Sequence, residues 1–117
     1  MTEKRFALGA AEILPLVLGH GACYASDMIT VDGRKVGYMY REAPDFDADS
    51  GWRFFAGLES QACADEPGNF AIYDVNTIAN YDPEIIPLLD APVGATFGRP
   101  LDGGQLTAVD SLGEPDG

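Results

Sequence analysis

The stretch of residues 36–57 constrains the fold most, because it holds two aromatic runs joined by an acidic segment. The runs are residues 36–41 and 52–55, and the segment between them is rich in Asp, Pro and Gly. Aromatic and β-branched residues favour strands, whereas Asp, Pro and Gly favour turns. The stretch contains the only Trp, two of the five Tyr and three of the six Phe of the chain. We therefore expect the core to form around two strands joined by an acidic connection.

Length and charge limit the classes of function. A chain of 117 residues fits one domain, and a domain of this size buries about two thirds of its unfolded surface. The 19 acidic and 7 basic residues give a formal charge of −12. Such a surface repels phosphate backbones and anionic lipid headgroups, which argues against binding to nucleic acids or membranes. It suits a basic partner, although acidic residues also serve solubility alone.

The N-terminal region resembles a secretion signal only superficially. Residues 6–18 are apolar, but Glu12 and Pro15 interrupt them and no clean cleavage site follows. We therefore expect a cytoplasmic protein, in which Cys23 and Cys63 stay reduced.

Apolar spacing predicts a short amphipathic helix over residues 2–14, which Pro15 ends. On this basis residues 1–21 form an N-terminal helix and link, residues 22–110 form the folded domain, and residues 111–117 form a flexible acidic tail.

The next segments indicate short extended pieces at residues 22–26 and 28–31. The pair Asp32-Gly33 is typical of a tight hairpin turn and predicts that the second piece joins the strand at residues 36–41.

Two helix starts are visible later in the chain. Asp74 can accept hydrogen bonds from the first N–H groups of a short helix, and Asp82 followed by Pro83 repeats the signal. The sequence therefore predicts an α+β fold: a single small domain with a mainly antiparallel sheet and short helices. The further strand candidates are residues 69–73, 92–97 and 105–109, of which the last two would form a closing hairpin.

The acidic connection does not have the pattern of a calcium loop. Asp45, Asp47 and Asp49 are spaced two apart, as in an EF-hand. Such a loop needs Gly at its sixth position and Glu at its twelfth, where this chain has Ser50 and Ala56.

No catalytic pattern stands out either. His20 is the only histidine, and His20 with Cys23 lacks further zinc ligands. The glycines do not form a phosphate-binding loop ahead of a helix. The sequence therefore predicts a protein that is not an enzyme and has no cofactor or metal.

The strongest candidates for binding are polar groups set among apolar and aromatic residues. A structural explanation competes: Arg41 and Arg53, on neighbouring strands, could pair with Glu42, Asp49 or Asp74. The two asparagines of the helix after residue 74 would then cap local backbone. On the binding explanation the candidate residues are Tyr38, Tyr40, Arg41, Asp45, Asp47, Asp49, Trp52, Arg53, Asp74, Asn76 and Asn80.

Three motifs in order resemble a known family. They are VGYMYREAP from residue 36, DSGWRFFAG from residue 49, and NFAIYDVNTIANYDPEIIPLL from residue 69. Together they are similar to the immunity protein 33 family over about residues 23–97. The resemblance implies a small cytoplasmic bacterial protein that neutralises a toxin of a polymorphic toxin system by binding it. It implies no catalytic residues.

The charge and the resemblance favour a basic toxin protein as partner, with loops 44–50 and 65–68 forming part of the contact surface. The alternative is a regulatory or small-ligand-binding module whose pocket is lined by Tyr38, Tyr40, Arg41, Trp52 and Arg53.

Overall fold

The computed structural model describes residues 6–17, 19–57, 59, 66–99 and 104–108, and the elements below belong to these residues. The strands are β1 (Ala22–Ser26), β2 (Tyr38–Arg41), β3 (Asp49–Phe55), β4 (Phe70–Asp74), β5 (Thr96–Gly98) and β6 (Thr107–Ala108). The α-helices are α1 (Asp27–Thr30) and α2 (Val75–Tyr81), and the 3-10 helices are Ala10–Glu12, Pro67–Asn69 and Pro83–Leu88.

The six strands form one sheet in the order β4-β1-β3-β2-β5-β6. Strands β1 and β3 are parallel, and every other neighbouring pair is antiparallel. The two central aromatic runs pair as the sequence indicates, with Tyr38 opposite Phe55 and Arg41 opposite Trp52. The predicted closing hairpin forms between β5 and β6. The α+β prediction, with a mainly antiparallel sheet and short helices, is confirmed.

The core lies on one face of this sheet. Because side chains alternate along a strand, Met39, Trp52 and Phe54 share a face, which the helices cover. Burying each such side chain contributes about 1.5–3 kcal/mol to the free energy of unfolding. Cys23 is a free thiol in this core, and its pKa is raised because burial disfavours the thiolate. The helical side of the core consists of Ile29, Val75, Ile78, Ala79, Ile85 and Leu89.

Both predicted helix starts are confirmed. The Asp74 carboxylate accepts a 2.8 Å hydrogen bond from the Asn76 backbone N–H and so caps α2. Asp82 likewise accepts from the N–H of Glu84 at the start of the third 3-10 helix, Pro83–Leu88.

The predicted extended piece at residues 28–31 is wrong, because α1 occupies most of it. The Ser26 hydroxyl accepts from the N–H of Met28 and caps this helix. Gly33, with φ 77°, then donates to the Ile29 carbonyl as the chain leaves α1. Asp32-Gly33 therefore follows a helix and is not the turn of a β-hairpin.

The predicted helix over residues 2–14 does not form across residues 6–14, where Ala10–Glu12 is a single 3-10 turn. The physical reason is that side chains from α2 bind the backbone of Leu14, which competes with a helical hydrogen-bond pattern. The predicted tail at residues 111–117 lies outside the described residues, and the division at residues 21 and 110 remains a prediction.

A buried ion pair that no local sequence pattern indicates holds the end of β5 to the helical side. Asp82 is fully buried, and its carboxylate accepts a 2.6 Å hydrogen bond from the Arg99 guanidinium and a 3.1 Å bond from the N–H of Val36. Arg99 also donates to the Val36 carbonyl. One carboxylate thus joins the last turn of α2, the chain entering β2 and the chain leaving β5.

We predict that Asp82→Ala lowers the free energy of unfolding by about 3–5 kcal/mol, because it leaves a largely buried guanidinium without its partner. The matched control is Glu84→Ala, which removes the exposed carboxylate on the same Arg99 and should cost about 1 kcal/mol or less. Urea denaturation followed by tryptophan fluorescence measures both. Equal losses in the two variants would contradict the role given to the buried pair.

Candidate functional site

The face of the sheet opposite the helices carries a continuous group of apolar and aromatic side chains. Strand register places them together: Tyr24 lies beside Arg53 and Ile72, Tyr38 lies opposite Phe55, and Phe70 lies opposite Ser26. Ile72 is 54% exposed, and the others are half-buried. We call this group the open face; its members are Tyr24, Tyr38, Tyr40, Phe55, Phe70 and Ile72.

The rings of the open face contact one another in sequence across three strands. Tyr38 and Tyr40 have centroids 5.8 Å apart, and the Tyr40 ring stacks on Phe55 at 6.0 Å. Phe55 meets Phe70 edge-on at 5.3 Å. Such contacts restrict the orientations that these rings can adopt.

Arg53 is the buried charge beneath one end of the open face. Its side chain is only 5% exposed, and it forms a two-point contact with Asp49 at 2.9 and 2.8 Å. Its Nε donates to Glu42 at 2.6 Å. The guanidinium also lies 4.4 Å from the centroid of the Tyr24 ring, within the range of a cation–π contact.

The connection between β2 and β3 wraps around Arg53. We call residues 42–48 the acidic loop; its side chains are exposed, and Asp45 approaches Arg53 at 3.6 Å. Phe46 from this loop meets the Tyr24 ring edge-on at 6.5 Å. The acidic loop thus forms one border of the open face, with an aromatic contact joining the two.

Gly51 permits this arrangement. Its φ is 90°, and a Cβ there would lie 2.2 Å from the Glu42 carbonyl oxygen, so no larger residue fits. The Gly51 N–H donates to Asp49 at 2.9 Å, while the N–H of Asp45 donates to the other oxygen of that carboxylate at 2.7 Å. Two backbone donors and Arg53 therefore fix the Asp49 side chain.

These contacts shift three pKa values. The hydrogen bond from Arg53 holds the pKa of Asp49 far below its usual range. Burial alone would lower the pKa of Arg53, but hydrogen bonds to Asp49 and Glu42 outweigh burial and raise it. Burial, together with the nearby Glu42 carboxylate, raises the pKa of Tyr40. The cluster is therefore a fixed ion pair at neutral pH, and Tyr40 stays neutral there.

The structure brings together part of the predicted set of site residues. Tyr38 and Tyr40 belong to the open face, Arg53 is buried beneath one end of it, and Asp49 and Asp45 contact Arg53. Asp47 is exposed in the acidic loop. Of the predicted loop at residues 65–68, Glu66 and Gly68 are exposed, whereas residue 65 lies outside the described residues.

Arg41 and Trp52 lie on the other face of the sheet. Trp52 is buried in the core, and its indole N–H donates to the Leu89 carbonyl at 3.3 Å. Arg41 donates to the carbonyls of Ser50 and Ala91 at 2.9 and 2.7 Å. The single pocket predicted for the ligand-binding alternative is therefore wrong, because strand alternation divides its five residues between two faces. The predicted ion pairing holds for Arg53, whereas Arg41 binds backbone carbonyls.

Asp74 ends β4, and Asn76 and Asn80 lie in α2. Asp74 caps the helix, whereas the two asparagines bind the backbone of residues 14–17. The expectation that they cap local backbone holds only for Asn80, whose Nδ2 also donates to the Asn76 carbonyl at 2.9 Å; the other partners of both asparagines lie some 60 residues earlier.

Four open-face residues were absent from the predicted site set: Tyr24, Phe55, Phe70 and Ile72. The alternation of β3 indicates that Phe55 and Arg53 share a face. The positions of the others depend on the neighbours of β1, which local patterns do not specify.

Within the described residues, no group of three His, Cys, Asp or Glu side chains could hold a metal ion. No helix in the same part of the chain has the length and apolar character to cross a membrane.

Comparison with protein-family models shows the family to which the chain is similar. A family model described as the immunity protein Imm33 domain matches residues 23–110, most of the 117 residues. This range includes the whole open face and the acidic loop. Neither the search of curated proteins nor that of solved structures gives a significant match.

We predict that Asp49→Asn lowers the free energy of unfolding by about 3 kcal/mol at pH 7, because it breaks a buried ion pair. The folded-state pKa of Asp49 is depressed, so its contribution is full above the unfolded value of about 4 and is lost as the pH falls further. The difference between wild type and variant should therefore shrink between about pH 5 and pH 2.

Urea denaturation at several pH values measures this difference. Asp47→Asn is the matched control: its carboxylate is exposed in the same connection, and its effect should stay within about 0.5 kcal/mol at every pH. A constant difference between wild type and Asp49→Asn across the range would contradict the prediction.

Proposed function

Because the chain belongs to the immunity protein Imm33 family, we propose that it neutralises a cognate bacterial toxin in the cytoplasm by binding it directly, without catalysis. The observation that carries the binding site is the open face together with the acidic loop. It combines an ordered aromatic surface with a bordering group of carboxylates.

The open face has the character of a protein-binding surface. Tyrosine and other aromatic residues are enriched among the residues that dominate binding energy at interfaces. Tyr38, Tyr40 and Phe55 lie on the central strands β2 and β3, so the sheet fixes their positions. A partner that covers them pays little conformational entropy, because the rings already contact one another.

The charge at its border favours a basic partner. The single guanidinium of Arg53 stands among four carboxylates, those of Glu42, Asp45, Asp47 and Asp49, so the formal charge of the group is −3. The whole chain carries −12. Such a field accelerates association with a basic protein and disfavours pairing with a second copy of this chain. Occlusion of a basic toxin surface is the mechanism that follows.

Co-expression tests the function itself. Basic proteins recovered by pull-down from the native host, and toxin domains encoded near the gene, are expressed in a sensitive strain with and without this chain. We expect restored growth with one of them and a stable complex of the two purified proteins. Failure of every such toxin to bind would overturn the proposal.

We predict that Asp45→Asn combined with Asp47→Asn slows association with that toxin several-fold at low ionic strength, because steering depends on the exposed charges. The control pair Asp32→Asn and Asp90→Asn removes two exposed carboxylates from elsewhere on the surface. Stopped-flow or surface plasmon resonance at low and high salt measures the rates. Equal slowing by both pairs would mean that net charge acts, rather than the acidic loop.

We predict that Ile72→Ser weakens toxin binding about 10-fold, which corresponds to 1.4 kcal/mol, mainly through faster dissociation. Val93→Ser is the matched control, since Val93 is 57% exposed and Ile72 is 54% exposed. Binding kinetics of the purified complex distinguish the two variants. An unchanged dissociation rate in Ile72→Ser would exclude the β4 side of the open face from the contact.

A further inference from the structure

On the helical side of the sheet, opposite the open face, residues 14–17 lie along α2. We call them the strap. They lie outside residues 23–110, the range that the family model matches, whereas Asn76 and Asn80 lie within it. Two side chains of the matched domain therefore bind a segment from outside it.

The contacts between α2 and the strap run from side-chain amides to main-chain atoms. Asn76 Oδ1 accepts from the N–H groups of Leu16 and Val17 at 2.8 and 2.9 Å. Asn80 Oδ1 accepts from the N–H of Leu14 at 2.8 Å. Both Asn Nδ2 groups donate to the Leu14 carbonyl at 2.9 Å. Each side-chain amide thus both donates to and accepts from the main chain of the strap, as the backbone of a paired β-strand does.

The side chains of the strap contribute little to this contact. Leu14 is 58% exposed and Leu16 is 43% exposed, and Pro15 between them is exposed as well. Val17 packs partly against the core. The asparagines therefore bind the main chain and place almost no demand on the sequence of the segment that carries it.

We infer that Asn76 and Asn80 form a binding site for the main chain of an extended peptide segment, which the strap occupies and can vacate. The strap hydrogen bonds of Asn80 are exposed and those of Asn76 are partly buried, so water can replace these neutral contacts at a lower net cost than those of a buried ion pair. Gly19, just after the strap, has φ 83° and no atom within 4 Å of a Cβ built on it, so the chain has room to pivot there. The occupant to which the site is matched is an extended segment with the strap's own sequence, bound through its N–H and C=O groups.

This inference is independent of the toxin, and the full chain tests it. Leu16→Pro removes one of the two N–H groups that donate to Asn76 and restricts the strap backbone, so it should release the strap while leaving both asparagines in place. The probe is a fluorescein-labelled synthetic peptide with the sequence of residues 11–17. We expect it to bind the Leu16→Pro chain with a dissociation constant of about 1 mM or below. In the wild-type chain the tethered strap has an effective concentration of about 1 mM, and it fills the site only if the dissociation constant of the free segment is no higher than that.

The controls separate main-chain binding from other contacts. Adding Asn76→Ala and Asn80→Ala to the Leu16→Pro chain should weaken peptide binding at least 10-fold. Wild-type chain should bind the peptide more weakly than Leu16→Pro, because its own strap fills the site. A peptide with Ser in place of both strap leucines should bind nearly as well, whereas one with Pro in place of the second leucine should not. Equal binding with and without the asparagines, or none to a folded Leu16→Pro chain, would overturn the inference.

Hydrogen exchange on the wild-type chain tests the same inference without a destabilising variant. We expect the amides of Leu14, Leu16 and Val17 to exchange at least 10-fold faster than those of β1 and β3, because the strap opens locally. Asn76→Ala with Asn80→Ala should accelerate the strap amides further and leave the sheet unchanged. Exchange of the strap only at the rate of global unfolding would show that it does not vacate the site.

Discussion

The ion pair between Arg53 and Asp49 is the interaction on which the open face depends. A guanidinium that is 5% exposed has lost its water and must recover that energy from carboxylates with good geometry. Two backbone N–H groups and Arg53 fix Asp49, and Arg53 in turn holds Glu42 at the other end of the β2–β3 connection. A long acidic segment that would otherwise repel itself is thereby tied down at both ends. The exposed carboxylates of the acidic loop outnumber the single guanidinium of Arg53. They therefore leave a net negative charge at the border of the open face, where a partner can contact it.

Adjacent residues of β3 serve opposite purposes. Trp52 is buried under the helices, while Arg53 supports the open face, because successive side chains of a strand point to opposite sides. The same strand therefore contributes to the stability of the core through one set of side chains and to the open face through another. Substitution of an exposed residue such as Ile72 can change binding with little effect on the core. Gly51 lies between the two roles, since the close approach of the Glu42 carbonyl leaves no space for a side chain.

The sequence predicted the features that local chemistry specifies. The aromatic runs became β2 and β3, and Asp74 and Asp82 capped helices, because period, turn residues and caps act within a few positions. The prediction failed at residues 28–31, where the cap at Ser26 outweighed the β-branched character of Ile29 and Thr30. It also failed where the partner is distant. Arg99 reaches Asp82, and Asn76 reaches the strap about 60 residues earlier, and no local pattern encodes such pairings. The site predicted from the sequence included Arg53 and the acidic residues, but it also included Arg41 and Trp52, which lie on the other face of the sheet.

A buried polar group needs hydrogen-bond partners, and this holds for Arg53, Asp82 and Asn76. The kind of partner determines how easily each contact can be broken. Arg53 and Asp82 bind opposite charges inside the domain, so separating either pair leaves a charge without water and is strongly unfavourable. Asn76 is neutral and binds main-chain groups of a segment in which all side chains but that of Val17 are exposed, so water can replace the segment's contacts when it leaves. The two charged pairs therefore fix the sheet and its open face, while the strap is the part of the described chain whose polar contacts permit exchange. A partner that binds the open face meets a rigid surface, and a segment that binds α2 must compete with the strap.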